Sequence, residues 1–591
     1  MERGGIYFRG WALIRSVSLI CVYFLAMFIF GAQTFSFKDE PLIKHFLRPL
    51  ITMTTPLQNP ILPGFNPDPA ICKKGDTYYI AVSSFQWWPG IPVYESKDLR
   101  NWKLSTYILK DINLVDLRRI GDSAGIWAPA ISYADGLFWV VFSPATGSRL
   151  HGHESPNYLT YSESIDGPWA EPVFMSASGN DASLFHDDDG KKYFLNTHLK
   201  RGQLTPDRID GHCGTLMQEY DHQQKKLVGK ARNIFAGTDA GIPEGSKMYK
   251  RNNYYYLNIA EGGTEYGHCM TLARSKNVNG PYEVHPENPI LTAVDEPDNP
   301  IQRAGHADFI EVPNNGGVAL VYLASRPVDG CSVLGRETYI AKAHWGEDDW
   351  LRLESRAPVA EVPDFGLPAQ APEALMEVDD FDSPELHLEW NTLRQPIKDL
   401  IDLESRPSWL QLKPTYSFLD SMEKTSAIFR RVRHHRFSAS TRMQFEPHTE
   451  QQWAGLTCYY DTRHWYYAFL GVNEEGELLV GLCKKGYGMV TEHISHKILD
   501  RAQFPDGIID LQVQCDSRTL QFQFKSPEED TFKNLGEPQD ATILSDEYVE
   551  SKDPDITFGF TGAYVGLACW DLPLTSPKAA FDSFVYRGED D

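Results

Sequence analysis

Asp68, Asp181 and Glu244 lie far apart in the sequence, in the Gly- or Pro-rich settings FNPDPA, GNDASLF and IPEGSK. Paired carboxylates suit general acid and base chemistry. Hydrolysis of a glycosidic bond, for example, needs one carboxylic acid to protonate the leaving oxygen and a second carboxylate to attack or to activate water. Taken singly, an Asp in FNPDPA is more often a turn or cap residue. What raises these three above that reading is where each stands relative to a repeat.

A short aromatic strand recurs five times between residues 60 and 350, about sixty residues apart: DTYYIAVSS from Asp76, GLFWVVFS from Gly136, KKYFLNTH from Lys191, NNYYYLNIA from Asn252 and VALVYLAS from Val318. Several copies are followed by a polar strand that closes on a turn and an aromatic residue, as in YESKDLRNW, YSESIDGPW and ARSKNVNGPY. A small sheet that cannot bury its faces alone stacks radially on its neighbours, so the repeat predicts a five-bladed β-propeller, with the hairpins of an ordinary sandwich as the competing arrangement. Reading back ten to twelve positions from each aromatic strand finds Asp68, Trp127, Asp181, Glu244 and His306. If these begin the innermost strands, all five side chains meet in the central funnel.

The segment ESRAPVAEVPDFGLPAQAPEALMEV is rich in Pro and has no periodicity, which predicts an ordered linker over residues 356–372 lying across a surface. Beyond it come alternating strands such as FSASTRMQFE, AGLTCYYD, YYAFLGV, IIDLQVQCD, TLQFQFKS, AYVGLACWD and FDSFVYRG, with no long helical period. The expected fold is all-β: a propeller over residues 55–355 followed by a β-sandwich over 373–591. A chain of 591 residues exceeds what one hydrophobic core serves, which agrees with two domains. The net charge of −24 argues against nucleic acid, whose binding draws on Lys and Arg.

Residues 1–54 form a leader in which Arg3, Arg9 and Arg15 precede an uncharged apolar stretch at about 16–37. A signal peptide and a signal anchor both fit this pattern, and the basic flank places the remainder in the lumen or exterior, membrane-anchored if the stretch is uncleaved. Against a secretory route, no Asn lies in an N-x-Ser/Thr acceptor. The nine Cys show no CxxC pair or zinc-like spacing and read as small buried hydrophobes.

The chain after the leader resembles glycoside hydrolase family 43, in particular its β-xylosidase-like members with a C-terminal concanavalin-like sandwich. The matching segments include NPILPGFNPDPAICKKGDTYYIAVSSFQWWPGIPVYESKDLRNW, GIWAPAISYADGLFW, SLFHDDDGKKYFLN, PEGSKMYKRNNYYYL, AEGGTEYGHCMTLARS, QRAGHADF and LGRETYIA. The resemblance implies that Asp68 is the general base, Glu244 the general acid and Asp181 the residue that orients the acid and raises its pKa, in an inverting reaction that releases xylose or arabinose from chain ends. It further implies that Arg336 donates to sugar hydroxyls, and that His306 ligates a calcium or its water beneath the site, although no cofactor is required for the chemistry. Phe85 and Trp127 offer apolar walls for one pentose, or else simple core packing. Phe560 or Tyr564, in GFTGAYVGL of the sandwich, would close the pocket rim, and Asp380 and Asp582 would share a structural calcium between adjacent terminal strands. The expected partner is a pentose-containing oligosaccharide or glycoside, and a homo-oligomer is compatible with the chain. An α-L-arabinofuranosidase is the nearest alternative, and a catalytically silent membrane-anchored carbohydrate-binding protein is the alternative of another class. The chain departs from the family's usual wording, with PEGSK for TEGPH, NDAS for FDPS and WAPA for WAPH. These changes spare the three carboxylates and alter their neighbours Pro243, Ser246, Lys247, Asn180, Ala182 and Ala130.

Overall fold

The computed structural model describes residues 56–589, apart from 147–154, 178, 200–210, 314–316, 374, 487, 489–490, 553–557 and 576–577. The apolar stretch at 16–37 therefore lies outside the described residues, among which no helix is long and apolar enough to cross a membrane.

Five antiparallel sheets follow one another along the chain, each built on four strands in sequence, with a short extra strand on the fourth. Their innermost strands are Ala70–Lys74, Gly125–Ala134, Ser183–His186, Glu244–Arg251 and Gln302–Glu311. Each pairs with the following aromatic strand, namely Thr77–Ala81, Leu137–Ala145, Lys192–Leu199, Tyr254–Glu261 and Gly317–Ser325. Two of these hairpins turn in two residues that both have positive φ, Asp135–Gly136 and Asn252–Asn253, the residue types that relieve this conformation and match the strand twist. The ring closes because Leu57–Gln58 pairs with Glu361–Val362 and Leu62 bridges Thr338. Beneath that seam Leu57, Leu62, Ile80, Val321, Ile340 and Val362 form one buried cluster drawn from the first and last blades.

From Val378 on, two sheets of nine and six strands form the sandwich. In the nine-stranded sheet, Arg436–Gln444 alternates between buried and more exposed residues, the mark of one covered face. In the six-stranded sheet, His464–Val472 is buried at every position. One of its faces packs on the partner sheet through residues such as Tyr466, Ala468 and Leu470, and the other packs on the propeller through Trp465, Tyr467 and Phe469. The propeller supplies an insertion of its first blade to this contact. Trp87–Trp88 pairs with Thr392–Leu393, and the Trp87 indole stacks on Tyr564 with ring centroids 3.6 Å apart. Buried polar groups fix the register: Arg394 donates to Asp122 at 2.6 Å and Arg431 donates to the Phe65 carbonyl at 2.9 Å. The Pro-rich segment runs over the first blade, where Gln370 exchanges hydrogen bonds with Lys97, Asp98 and Asn101. Eight cysteines are unpaired among the described residues, six of them buried.

Trp87 is fully buried between the two domains, so Trp87→Ala is expected to cost about 3–5 kcal/mol. The loss should appear in urea denaturation as one lowered midpoint shared by both domains rather than as two separated transitions.

Candidate active site

At equivalent places at the head of the five innermost strands the backbone turns left-handed: Asp68 (φ 55°), Ala128 (35°), Asp181 (52°), Gly245 (59°) and His306 (44°). In the second, fourth and fifth blades the ladder register slips at this place, between Trp127 and Ala130, Glu244 and Lys247, and Gly305 and Asp308. A bulge of this kind re-aims side chains out of the sheet. The bulges turn Glu244 and His306, and the left-handed turns just before the first and third inner strands turn Asp68 and Asp181, toward the central funnel, where all but Glu244 are less than a tenth exposed and Glu244's side chain is 12% exposed. Gly245 shows why one position must be glycine, since a Cβ there would lie 2.8 Å from the Nε2 of His306.

His306 is the hub of the cluster. Its Nδ1 lies 3.3 Å from Asp68 Oδ1, and its ring interacts electrostatically with Asp181 and Glu244. Asp68 Oδ1 also meets Arg336 Nη1 at 3.4 Å. Asp68 Oδ2 accepts the Ser83 hydroxyl at 2.6 Å, and Ser83 Oγ in turn accepts from the Ala128 amide at 2.7 Å. Burial alone would push the Asp68 carboxyl up, but Arg336, His306 and Ser83 together hold it well below the usual carboxylate range. Asp68 is therefore ionised at any working pH.

The other two carboxylates behave as a pair. Burial and then the charge of Glu244 push Asp181 up to about 7. Glu244 is shifted the other way: burial is outweighed by His212, whose Nε2 stands 3.5 Å from Glu244 Oε2, together with His306 and His268. The expectation that an ionised Asp181 raises Glu244 is thereby corrected. Within the pair the imidazole beside Glu244 favours the proton on Asp181.

The walls are aromatic and come from both domains. Phe85, Trp127 and Phe560 stand with ring centroids 6.1, 6.2 and 5.9 Å apart, and Phe558 packs on Trp127 at 6.1 Å. The Arg336 guanidinium lies 5.5 Å from the Phe85 ring centre and 5.3 Å from that of Phe560, and its Nη2 donates to the Phe560 carbonyl. That contact needs a close approach of backbones: at Gly335 (φ 70°) a Cβ would sit 2.2 Å from the Thr561 carbonyl oxygen. Tyr564, expected with Phe560 at the rim, does not reach the pocket. It is fully buried in the domain interface against Trp87 and Phe65.

The donor sets do not suit the calcium sites implied for His306, Asp380 and Asp582. One nitrogen of His306 is committed to Asp68, and the other faces Gly245. Asp582 has the cations Arg442 and Arg406 as neighbours, while Asp380 is exposed and accepts from the Asp382 amide. Among the described residues no group of three or more His, Cys, Asp or Glu is placed to hold a metal ion. Ser83, His212 and Phe558 belong to the site without any sequence signal that singles them out.

A charge-compensated cluster of three carboxylates in an aromatic-walled propeller funnel defines a glycoside hydrolase site. The model of the glycosyl hydrolases family 43 matches residues 57–351, and that of the beta xylosidase C-terminal concanavalin A-like domain matches residues 378–587. A xylosidase/arabinosidase 43B of Humicola insolens is 39% identical over 540 residues, which cover 90% of this chain and 97% of that protein. A β-xylosidase of Bacillus subtilis is 37% identical, covering 90% of this chain and 99% of the relative. The crystal structure of a xylan β-1,4-xylosidase from Bacillus halodurans superposes with a TM-score of 0.85 at 37% identity, covering 90% of this chain and all of that one. The chain belongs to glycosyl hydrolase family 43 and is a glycosidase.

An acid role for the Asp181–Glu244 pair predicts that kcat/KM falls as pH rises through the pair's upper apparent pKa, near 7. Asp181→Asn removes the raised member of the pair and leaves Glu244 to titrate alone beside His212, so the alkaline limb should move to lower pH. A pH profile of the two proteins checks this, and an unmoved limb would place the titrating group elsewhere.

Proposed function

We propose that the protein is an inverting, exo-acting hydrolase that releases xylose from the nonreducing ends of xylo-oligosaccharides or related glycosides, with Asp68 as base, Glu244 as acid and Asp181 as the residue that orients and protonates Glu244. The observation that carries this reading is the split in proton affinity within one funnel: Asp68 is held ionised by Arg336, His306 and Ser83, while the Asp181–Glu244 pair retains a proton near neutrality. Such divergent environments assign the base and acid roles. In a single displacement Asp68 takes a proton from water as that water attacks the anomeric carbon. Glu244, recharged from Asp181, gives its proton to the leaving oxygen on the opposite face. Restriction to chain ends follows from the enclosure by Phe85, Trp127 and Phe560, whose rings suit the CH faces of a single pentose.

Arabinofuranosides form the second substrate class, supported by the xylosidase/arabinosidase name of the Humicola insolens relative. Paired kinetics on nitrophenyl xyloside and nitrophenyl arabinofuranoside rank the two.

Asp68→Asn is expected to lower kcat by about 10²–10⁴-fold while leaving sugar binding and fold intact, as loss of a general base does. Glu244→Gln should lose most activity on xylobiose and much less on an aryl xyloside whose leaving group needs little protonation. Equal losses on both substrates would remove Glu244 from the acid role. The first-formed sugar in early proton NMR should have the inverted anomeric configuration, and retention would rule out the single displacement.

A further inference from the structure

One step further along the same innermost strands lies a second buried charge cluster that the chemistry above does not use. Lys247, three residues beyond Glu244, and Asp308, two beyond His306, are 8% and 5% exposed, with the ammonium 3.1 Å from Asp308 Oδ2. The same ammonium donates to the Pro69 carbonyl at 3.2 Å, and the same Oδ2 accepts from the Ile71 amide at 3.0 Å. The other oxygen, Oδ1, accepts from the Tyr249 hydroxyl at 2.5 Å and from the Phe309 amide at 2.8 Å. The fourth and fifth blades thus grip the two peptide groups that flank Ala70, two residues after Asp68. Lys247 also stands where the chain reads PEGSK in place of the family's usual wording.

Stability alone does not explain this arrangement. A buried ion pair is often matched or bettered by apolar residues of the same volume, because desolvation offsets the Coulomb gain. An apolar pair, however, could not donate to the Pro69 carbonyl or accept from the Ile71 amide. Asp68 itself sits at φ 55°, a backbone conformation that non-glycine residues hold only when their surroundings impose it.

We propose that Lys247 and Asp308 are a positioning pair for Asp68: by clamping Pro69 and Ile71 they hold the left-handed turn that aims the carboxylate at the attacking water. The inference rests on the reading of Asp68 as the base. Lys247 and Asp308 touch neither sugar nor water in this role and hold Asp68 through the backbone, while the Lys247 charge also disfavours protonation of His306.

The test uses the full-length chain. Lys247→Met leaves Asp308 buried without its partner, and so risks unfolding. The decisive variant is therefore Lys247→Met with Asp308→Asn, which removes both charges while the new side-chain amide oxygen can still accept from Ile71. This double variant leaves the Phe309 amide and the Pro69 carbonyl without their partners, so its urea midpoint should fall modestly with the chain still fully folded, yet kcat on nitrophenyl xyloside should fall by about tenfold to a hundredfold, the scale of a misaimed catalytic group. KM and inhibition by free xylose should change less than about twofold, because the sugar-binding walls are untouched. Lys247→Arg, which keeps a donor for both partners, should recover most of kcat. A double variant with wild-type kcat, or a loss carried equally by KM and xylose affinity, overturns the proposal. If Asp68→Asn is inactive while the double variant is normal, only the clamp fails. If Asp68→Asn still turns over, the base assignment itself fails.

Discussion

Three carboxylates buried in one funnel repel one another, and much of the structure around them answers that repulsion. Each has a particular compensating group: Arg336 and His306 for Asp68, His212 for Glu244, and a retained proton for Asp181. The compensation is graded rather than uniform. If every acid met an arginine, all three would be ionised and no proton would remain for a leaving group. If none did, the base would be neutral. The groups that compensate Asp68 come from the fifth blade and the one beside Glu244 from the third, so the compensation leans away from Asp181.

That gradient ties the domains together. Arg336 belongs to the propeller, but its second nitrogen is held by the Phe560 carbonyl of the sandwich, and its guanidinium lies between Phe85 and Phe560. The sandwich therefore fixes the charge that keeps Asp68 ionised in addition to walling the pocket. The two backbones approach closely at Gly335 and Thr561, and Trp87 stacks on Tyr564 between the domains.

The repeat in the first half made the blades legible, because five aromatic strands near a sixty-residue period fit few architectures besides a propeller, and the funnel positions followed by counting back from them. Phe560 was legible only as one of two aromatics in a short segment. Strand alternation could not tell which of Phe560 and Tyr564 faced the pocket, since both lie near a strand whose two faces are covered. Ser83, His212 and the Lys247–Asp308 pair were not legible as site residues. A serine after an aromatic strand, or a lysine in a polar run, gains its role only when another blade is brought against it. The direction of the Glu244 shift was misjudged for the same reason: Asp181 was visible as a neighbour, whereas His212 reaches the acid from the third strand of another blade.

The ring of left-handed residues also limits how this site can vary. At Asp68, Ala128, Asp181, Gly245 and His306 the backbone has already adopted a conformation that β-branched side chains resist. In a combinatorial library that randomised these five codons, the Val, Ile and Thr members would each start with a stability cost of roughly 1–2 kcal/mol per site. Beyond the Ala that stands at 128, the residues most at ease there are Gly, Asn, Asp and His. Three of these four are polar, and two carry the groups that acid–base chemistry uses, so the backbone geometry of the funnel biases its own sequence space toward catalysis.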